Sequence, residues 1–150
     1  MRIGFFINDI ETEKSGFTTL RLAMTAVNRG HEVWIIGAGD LAYDVDEKIR
    51  ARALSTAPKK YKTTSTYLKD LKSNRAKSER ITVDDLDNLM LRNDPAEDTG
   101  NRAWAKTAGN IFGNVALRIG VVDFNDPTAL AGALDKIYMQ ILPRQIRPQT

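Results

Sequence analysis

The sequence predicts an α/β fold: an open, doubly wound, mainly parallel sheet with helices on both faces. Three observations lead there. A strand, a helix and a second strand follow one another between Arg2 and Ile36. The order strand, helix, strand, helix recurs between Leu86 and Leu142. The helices carry stop and start signals at the right places. A chain of 150 residues makes one domain by length.

Arg2–Asn8 is an unbroken apolar run closed by Asn8-Asp9, as a strand covered on both faces should be. It is expected at the centre of the sheet. Phe17, Leu20, Met24 and Val27 then recur at helical spacing, and Leu22, Ala23 and Ala26 widen the stripe. Ser15 is placed to cap that helix and Gly30 to end it. Glu32–Ile36 returns as a β-branched strand, so the first unit is a βαβ crossover with a parallel pair.

Residues 41–83 read as a basic, irregular excursion with little core of its own, holding a short strand at Ile49–Ala53 and a short helix at Thr64–Leu71. Order returns with a strand at Leu86–Arg92 and the polar turn NDPAEDTGN. Trp104, Ala108, Ile111, Phe112, Val115 and Ile119 then mark a long amphipathic helix. Gly109 and Gly113 weaken it by about 1 kcal/mol each, which predicts close packing against a neighbour. Gly120 closes it, Val121–Asn125 is the next strand, and Asp126-Pro127 opens a last helix running to Leu142. Two polar residues interrupt strands, Asn88 and Asp123: they face solvent, which is the reading expected for each, or line a site, or cover a surface left bare by a missing domain. Trp34 and Trp104 read as core or half-core residues.

Composition excludes several classes. No run approaches the ~18 consecutive apolar residues of a membrane span. The start MRIGFFIND has no basic leader and no cleavage site, so no signal peptide is expected. There is no cysteine, hence no disulfide or thiolate chemistry, and a cytoplasmic location fits. With a single histidine, His31, no His-based triad or zinc site is expected. The net charge of +3 is concentrated in residues 41–83, which hold 11 basic and 5 acidic groups. Those cations lack a motif, and Tyr61 and Tyr67 do not alternate with them, so the segment reads as solvated surface and not as a nucleic-acid face.

Two turns sit where open α/β sheets place ligands, outside the carboxyl ends of strands. The first, Asn8–Gly16, is neither GxGxxG nor a P-loop, so dinucleotide or P-loop binding is not expected. Its Asp9, Lys14 and Ser15, with Thr18 on the helix that follows, are candidates for holding a carboxylate or phosphate at a helix N-terminus. The second is Arg92-Asn93-Asp94-Pro95. Arg92 offers a forked donor set suited to a carboxylate, and Asp94 either orients it or caps the following turn. All of these are expected to converge at one end of the sheet.

Taken together, MRIGFFIND, Lys14-Ser15-Gly16-Phe17, Asp85-Leu86-Asp87, the R-x-D-P turn at Arg92–Pro95, and Asn125-Asp126-Pro127 with Leu130 and Lys136 resemble the N-terminal, pre-ATP-grasp lobe of prokaryotic glutathione synthetase-like carboxylate–amine ligases. The resemblance covers nearly the whole chain. It implies a Rossmann-like lobe and an ATP-dependent parent reaction in which a carboxylate is activated to an acyl phosphate and attacked by an amine. It also implies a small acid substrate, an amino acid or dipeptide, bound by the Asp9–Thr18 loop and Arg92. Lys136 matches a lysine that reaches ATP phosphates in the family. ATP and magnesium are the cofactors of the full-length family, and no cofactor is expected in this chain. The ATP-grasp lobes are expected to be absent here, which leaves a substrate-binding lobe without turnover of its own. The first loop is shorter than the family's, and Asp123 stands where an apolar strand residue is usual.

MRIGFF…GHEVWIIG also resembles the N-terminal lobe of GT-B glycosyltransferases, though the glycine-rich first loop is missing. A non-catalytic binding or folding domain is the third reading. Leu130, Leu134, Ile137, Tyr138, Ile141 and Leu142 form a stripe broader than one packed face needs, so a symmetric homodimer through the last helix or a sheet edge is expected.

Overall fold

The computed structural model describes residues 1–133, 140 and 143–145. The apolar N-terminal run forms strand β1 (Arg2–Ile7), and β1 lies inside a six-stranded sheet. Its neighbours are β2 (Glu32–Tyr43) and β5 (Asn88–Leu91), both parallel to it. Strand alternation sends Phe5 and Ile7 to one face and Phe6 to the other, and all three are buried.

Each face has its own helical cover. Helix α1 (Thr18–Asn28) and helix α2 (Thr64–Leu71) pack Leu20, Ala23, Ala26, Tyr67 and Leu71 against Phe5, Ile7, Val33 and Ile35. On the other face, α3 (Ala108–Arg118) sets Ala108, Phe112, Val115 and Ala116 against Phe6, Trp34, Ile36, Leu89 and Leu91. The loss of exposure of these side chains is the main source of stability, at roughly 1.5–3 kcal/mol for each large one fully buried.

Both long helices end as their glycines predict. Gly30 takes φ +82° and Gly120 φ +92°. At each, the following amide bonds back five residues: His31 N–H to the Ala26 carbonyl at 3.1 Å and Val121 N–H to the Ala116 carbonyl at 3.0 Å. This is the Schellman arrangement, which satisfies carbonyls that the helix end leaves open. Asp126 caps α4 (Pro127–Ala133), its Oδ1 accepting from the Thr128 and Ala129 amides at 2.8 and 3.2 Å. The expected continuation of this helix to Leu142, its apolar stripe from Leu134 to Leu142, and Lys136 lie outside the described residues.

The sheet is mixed, not mainly parallel. Its order is β4-β3-β2-β1-β5-β6, and β3 (Ile49–Ser55) and β4 (Lys77–Thr82) join antiparallel to β2 and to each other. The cause lies in connection length. A parallel crossover takes a dozen or more residues, whereas β2 runs on past Ile36 to Tyr43 and only residues 44–48 separate it from β3. The turn closes through the Asp44 amide on the Lys48 carbonyl at 3.0 Å, with Glu47 at φ 62°. Arg50 and Arg80 both reach Asp44. Far from lacking a core, residues 41–83 supply Ile49, Ala51, Ala53, Tyr61, Tyr67, Leu71 and Ile81 to it.

Other boundaries shift. The helix expected from Trp104 begins instead as a 3-10 segment, Gly100–Thr107, and becomes α-helical only at Ala108. Trp104 is 58% exposed, while Trp34 is buried. Asn88 is buried rather than solvent-facing. Its Nδ2 donates to the Val122 carbonyl at 2.7 Å, tying β5 to the edge strand β6 (Val122–Asp123), and its Oδ1 has no partner. Ser15 does not cap α1: the capping position falls on Phe17, without a side-chain bond.

Two buried polar atoms give predictions. The Tyr67 hydroxyl is fully buried without a partner, and burial pushes its pKa above the ordinary tyrosine range. Tyr67→Phe removes an unsatisfied group and keeps the ring, so we expect unchanged or slightly raised stability, by up to about 1 kcal/mol in urea unfolding. Asp123, expected to face solvent, is the second case: it is half-buried and its Oδ2 is buried without a partner. Burial, with Asp126 nearby, pushes its carboxyl up to about 6 against the pull of the Asn125 amide. A carboxyl raised on folding favours the fold when protonated. That contribution is full below about pH 4 and is lost as pH rises through about 6. Asp123→Asn should therefore change little at pH 4. At pH 8 it should stabilise by about 1–2 kcal/mol, discounted for partial solvation.

Candidate functional site

The carboxyl ends of β1 and β5 sit side by side, held by the Arg92 amide on the Phe6 carbonyl at 2.8 Å. A cavity of about 350 Å³ opens there, near the small end of the ~300–1,000 Å³ typical of small-molecule sites. Asn8 contributes from the end of β1, Glu13 and Gly16 from the first loop, and Phe17, Thr18 and Thr19 from the start of α1. Arg92, Asp94 and Glu97 close it from the turn after β5.

Asn8 is the hinge of this arrangement. Its Oδ1 accepts the Asp94 amide at 2.7 Å and its Nδ2 donates to the Asp94 carbonyl at 2.8 Å. The side chain thus reads the RNDP turn as a second strand would. Nδ2 also donates to Asp98, which is 1% exposed. Asp98 is paired in turn with Arg102, whose Nε lies 3.0 Å away. Arg102 then reaches the Asn8 carbonyl at 2.8 Å and Asp9 at 3.4 Å. Both turns are fixed by one partly buried polar network, with Asn8 and Asp98 at its buried end, and such a network positions groups only when every member is satisfied.

Of the residues singled out in the sequence, Thr18, Arg92 and Asp94 line the cavity. Asp94 also turns its own carboxylate onto the Ala96 amide at 2.9 Å, and so caps the turn. Asp9 is used by the loop: Oδ1 accepts the Glu11 amide and Oδ2 faces Arg102. Lys14 is exposed, with Nζ 5.8 Å from the Phe17 ring centre, and neither it nor Ser15 lines the cavity. Lys136 lies outside the described residues.

The charges lining the cavity are not paired with one another. The Arg92 Nε donates weakly to Thr19 Oγ1 at 3.4 Å. Among the described residues, no carboxylate oxygen lies within 4 Å of its guanidinium. The sequence reads Glu13, with Glu11, as a solvated loop end, and the structure overturns this for Glu13, which lines the cavity. It is buried to 9% exposure and its Oε2 has no hydrogen-bond partner. Burial raises its carboxyl above the ordinary range, Glu97 adds to this, and Lys72 and Arg92 oppose it.

A larger cavity, about 470 Å³, lies elsewhere, beside the end of α1 and the start of β2. Its polar groups are largely satisfied internally. Asn28 exchanges two bonds with Tyr61, Glu32 holds the Trp34 indole N–H and Arg2, and Lys59 pairs with Asp70. The smaller cavity has the unmatched charges and the ligand position expected of an open α/β sheet.

Fold and site together define an α/β lobe with a polar, charged cavity at the carboxyl ends of two neighbouring parallel strands. The chain belongs to the family described as prokaryotic glutathione synthetase, N-terminal domain, whose sequence profile matches residues 1–130 of its 150. That span contains Arg92, Asp94 and every other residue lining the cavity. No curated protein matches the chain. Among the described residues, no helix is long and apolar enough to cross a membrane.

Proposed function

We propose that this chain is the acid-binding lobe of a glutathione synthetase-type carboxylate–amine ligase, with Arg92 as the anchor of the substrate carboxylate. One observation carries the reading. An arginine in the R-x-D-P turn lines a cavity at the strand ends, steadied by Thr19 and with no carboxylate within 4 Å among the described residues. A guanidinium so placed forms paired, charge-assisted bonds to a carboxylate that a lysine cannot reproduce. Thr18 and the neighbouring amides at the start of α1 add donors on the same side.

The lobe's part in such a reaction is to bind and orient the acid. The described residues offer no group of three or more His, Asp or Glu side chains able to hold a metal ion. By the family resemblance, the reading gives ATP and magnesium to ATP-grasp lobes, counts Lys136 as a contact to ATP phosphates, and assigns binding without turnover to this lobe alone. Val122 and Phe124, in and just after the edge strand β6, are 56% and 69% exposed. They offer apolar surface to such a lobe, or to a second copy in a homodimer. A cytoplasmic location goes with this chemistry.

Titration with glutarate, followed by amide chemical shifts, tests the anchor. Saturable shifts at residues 13–19 and 92–97 are expected, and Arg92→Gln should weaken binding by at least about tenfold. Arg92→Lys should recover only a fraction. Binding that survives Arg92→Gln would rule out the assignment.

A further inference from the structure

A buried carboxylate without a partner is costly, by several kcal/mol for an ionised group left alone. Glu13 is in that position. Its side chain is buried, its Oε2 meets no donor, and it lines the same cavity as Arg92. No lysine or arginine comes within 4 Å of it among the described residues. Lys72, the cation that could approach, is engaged with Glu11, donating to its carbonyl at 2.9 Å and facing its carboxylate at 3.7 Å. The exposed Glu97 stands on the same cavity and adds negative charge.

We propose that Glu13, helped by Glu97, is a receptor for a primary ammonium group on the acid that Arg92 holds. The site would then select acids that carry both charges and discriminate against plain dicarboxylates. A cation arriving at Glu13 supplies the missing donor and offsets the repulsion from Glu97. A second carboxylate there meets two negative groups in a partly desolvated space. Positive and negative groups that line one small cavity without an ion pair within 4 Å, as Arg92 and Glu13 do, match the two charges of a zwitterion. The loop geometry supports the placement. Thr12 and Glu13 donate their amides to the Asp9 and Ile10 carbonyls at 3.2 and 3.3 Å, which fixes where the Glu13 side chain enters.

The inference rests on Arg92 as the carboxylate anchor, and a pair of probes separates the two ideas. L-glutamate and glutarate differ only by the α-ammonium group. By calorimetry on the 150-residue chain, L-glutamate should bind at least about tenfold more tightly than glutarate, the discrimination expected of one charge-assisted hydrogen bond. Glu13→Gln should abolish that preference and strengthen glutarate binding, because one of the two negative groups facing its second carboxylate is gone. Retained glutarate binding also shows that the variant is folded. Glu97→Gln, at an exposed position, should shrink the preference by a smaller factor. Equal binding of the two probes by the unaltered chain, or a preference that persists in Glu13→Gln, overturns the ammonium receptor and leaves the anchor standing. Failure of both probes to bind overturns the anchor and the receptor together.

Discussion

Replacing Arg102 with alanine should cost the fold about 3 kcal/mol, more than any surface substitution in the chain. Arg102 is not a surface cation in the ordinary sense. Its Nε holds Asp98, which is 1% exposed, and its terminal nitrogens hold the Asn8 carbonyl and Asp9. Removing it strands the Asp98 carboxylate with Asn8 Nδ2 as its remaining side-chain donor. The penalty comes chiefly from that uncompensated charge, not from lost packing. The double variant Arg102→Ala/Asp98→Asn removes the charge as well, so it should recover a third or more of the loss, a departure from additivity that a double-mutant cycle measures. Guanidinium unfolding of the four proteins decides the matter. Additive effects would mean that Asp98 does not depend on Arg102. Because Asn8 also grips the Asp94 amide and carbonyl, amide exchange over residues 93–99 should speed up in Arg102→Ala even where the protein stays folded.

That network shows where reading from sequence succeeds and where it stops. Thr18, Arg92 and Asp94 were legible because each follows the end of a recognisable strand or opens a helix, and topology alone then brings them together. Glu13 was not legible. A loop carboxylate looks the same whether it points to water or into a cavity, and the difference lies in the turns at Asp9–Glu13 that aim it. Asp98 sits in the segment read only as a polar turn and Arg102 directly after it, yet Asp98 is among the most buried of the described residues. An Asp four residues before an Arg was the available signal, and it is a weak one because such pairs are common on surfaces.

The same contrast runs through the fold. Local signals held: the glycines that close α1 and α3, the Asp126 cap, and the apolar β1 at the centre. Strand direction did not follow from them. Apolar alternation reports which face a residue occupies and says nothing of whether the strand runs up or down. The short connection at residues 44–48 carried that information, since it is too short for a crossover. Once β3 and β4 turn back antiparallel, the basic segment's alternating Arg50 and Arg52 become the outer face of a ribbon whose inner face is Ile49, Ala51 and Ala53.

Gly109→Ala should destabilise the chain by about 1–2 kcal/mol, although alanine is the better helix former by about 1 kcal/mol. A Cβ at this position would lie 2.9 Å from Phe6 Cε1 and 2.7 Å from Asn93 Oδ1. Phe6 is fully buried in the central strand and has no room to retreat, so the helix or the turn must move. Gly109→Leu extends the clash and should cost about 3 kcal/mol or more. Gly16 provides the control: nothing lies within 4 Å of its added Cβ, and Gly16→Ala should be close to neutral. The clash also touches the site. Asn93 stands between Arg92 and Asp94, so pushing its side chain disturbs the turn that carries the anchor. Gly109→Ala should therefore weaken glutarate binding about threefold to tenfold in protein that is still folded, a displacement effect of the kind a small misplacement produces at a binding group. If Gly109→Ala is as stable as the unaltered chain and binds as well, then α3 does not set the position of the Arg92 turn, and the link between the helix packing and the site is lost.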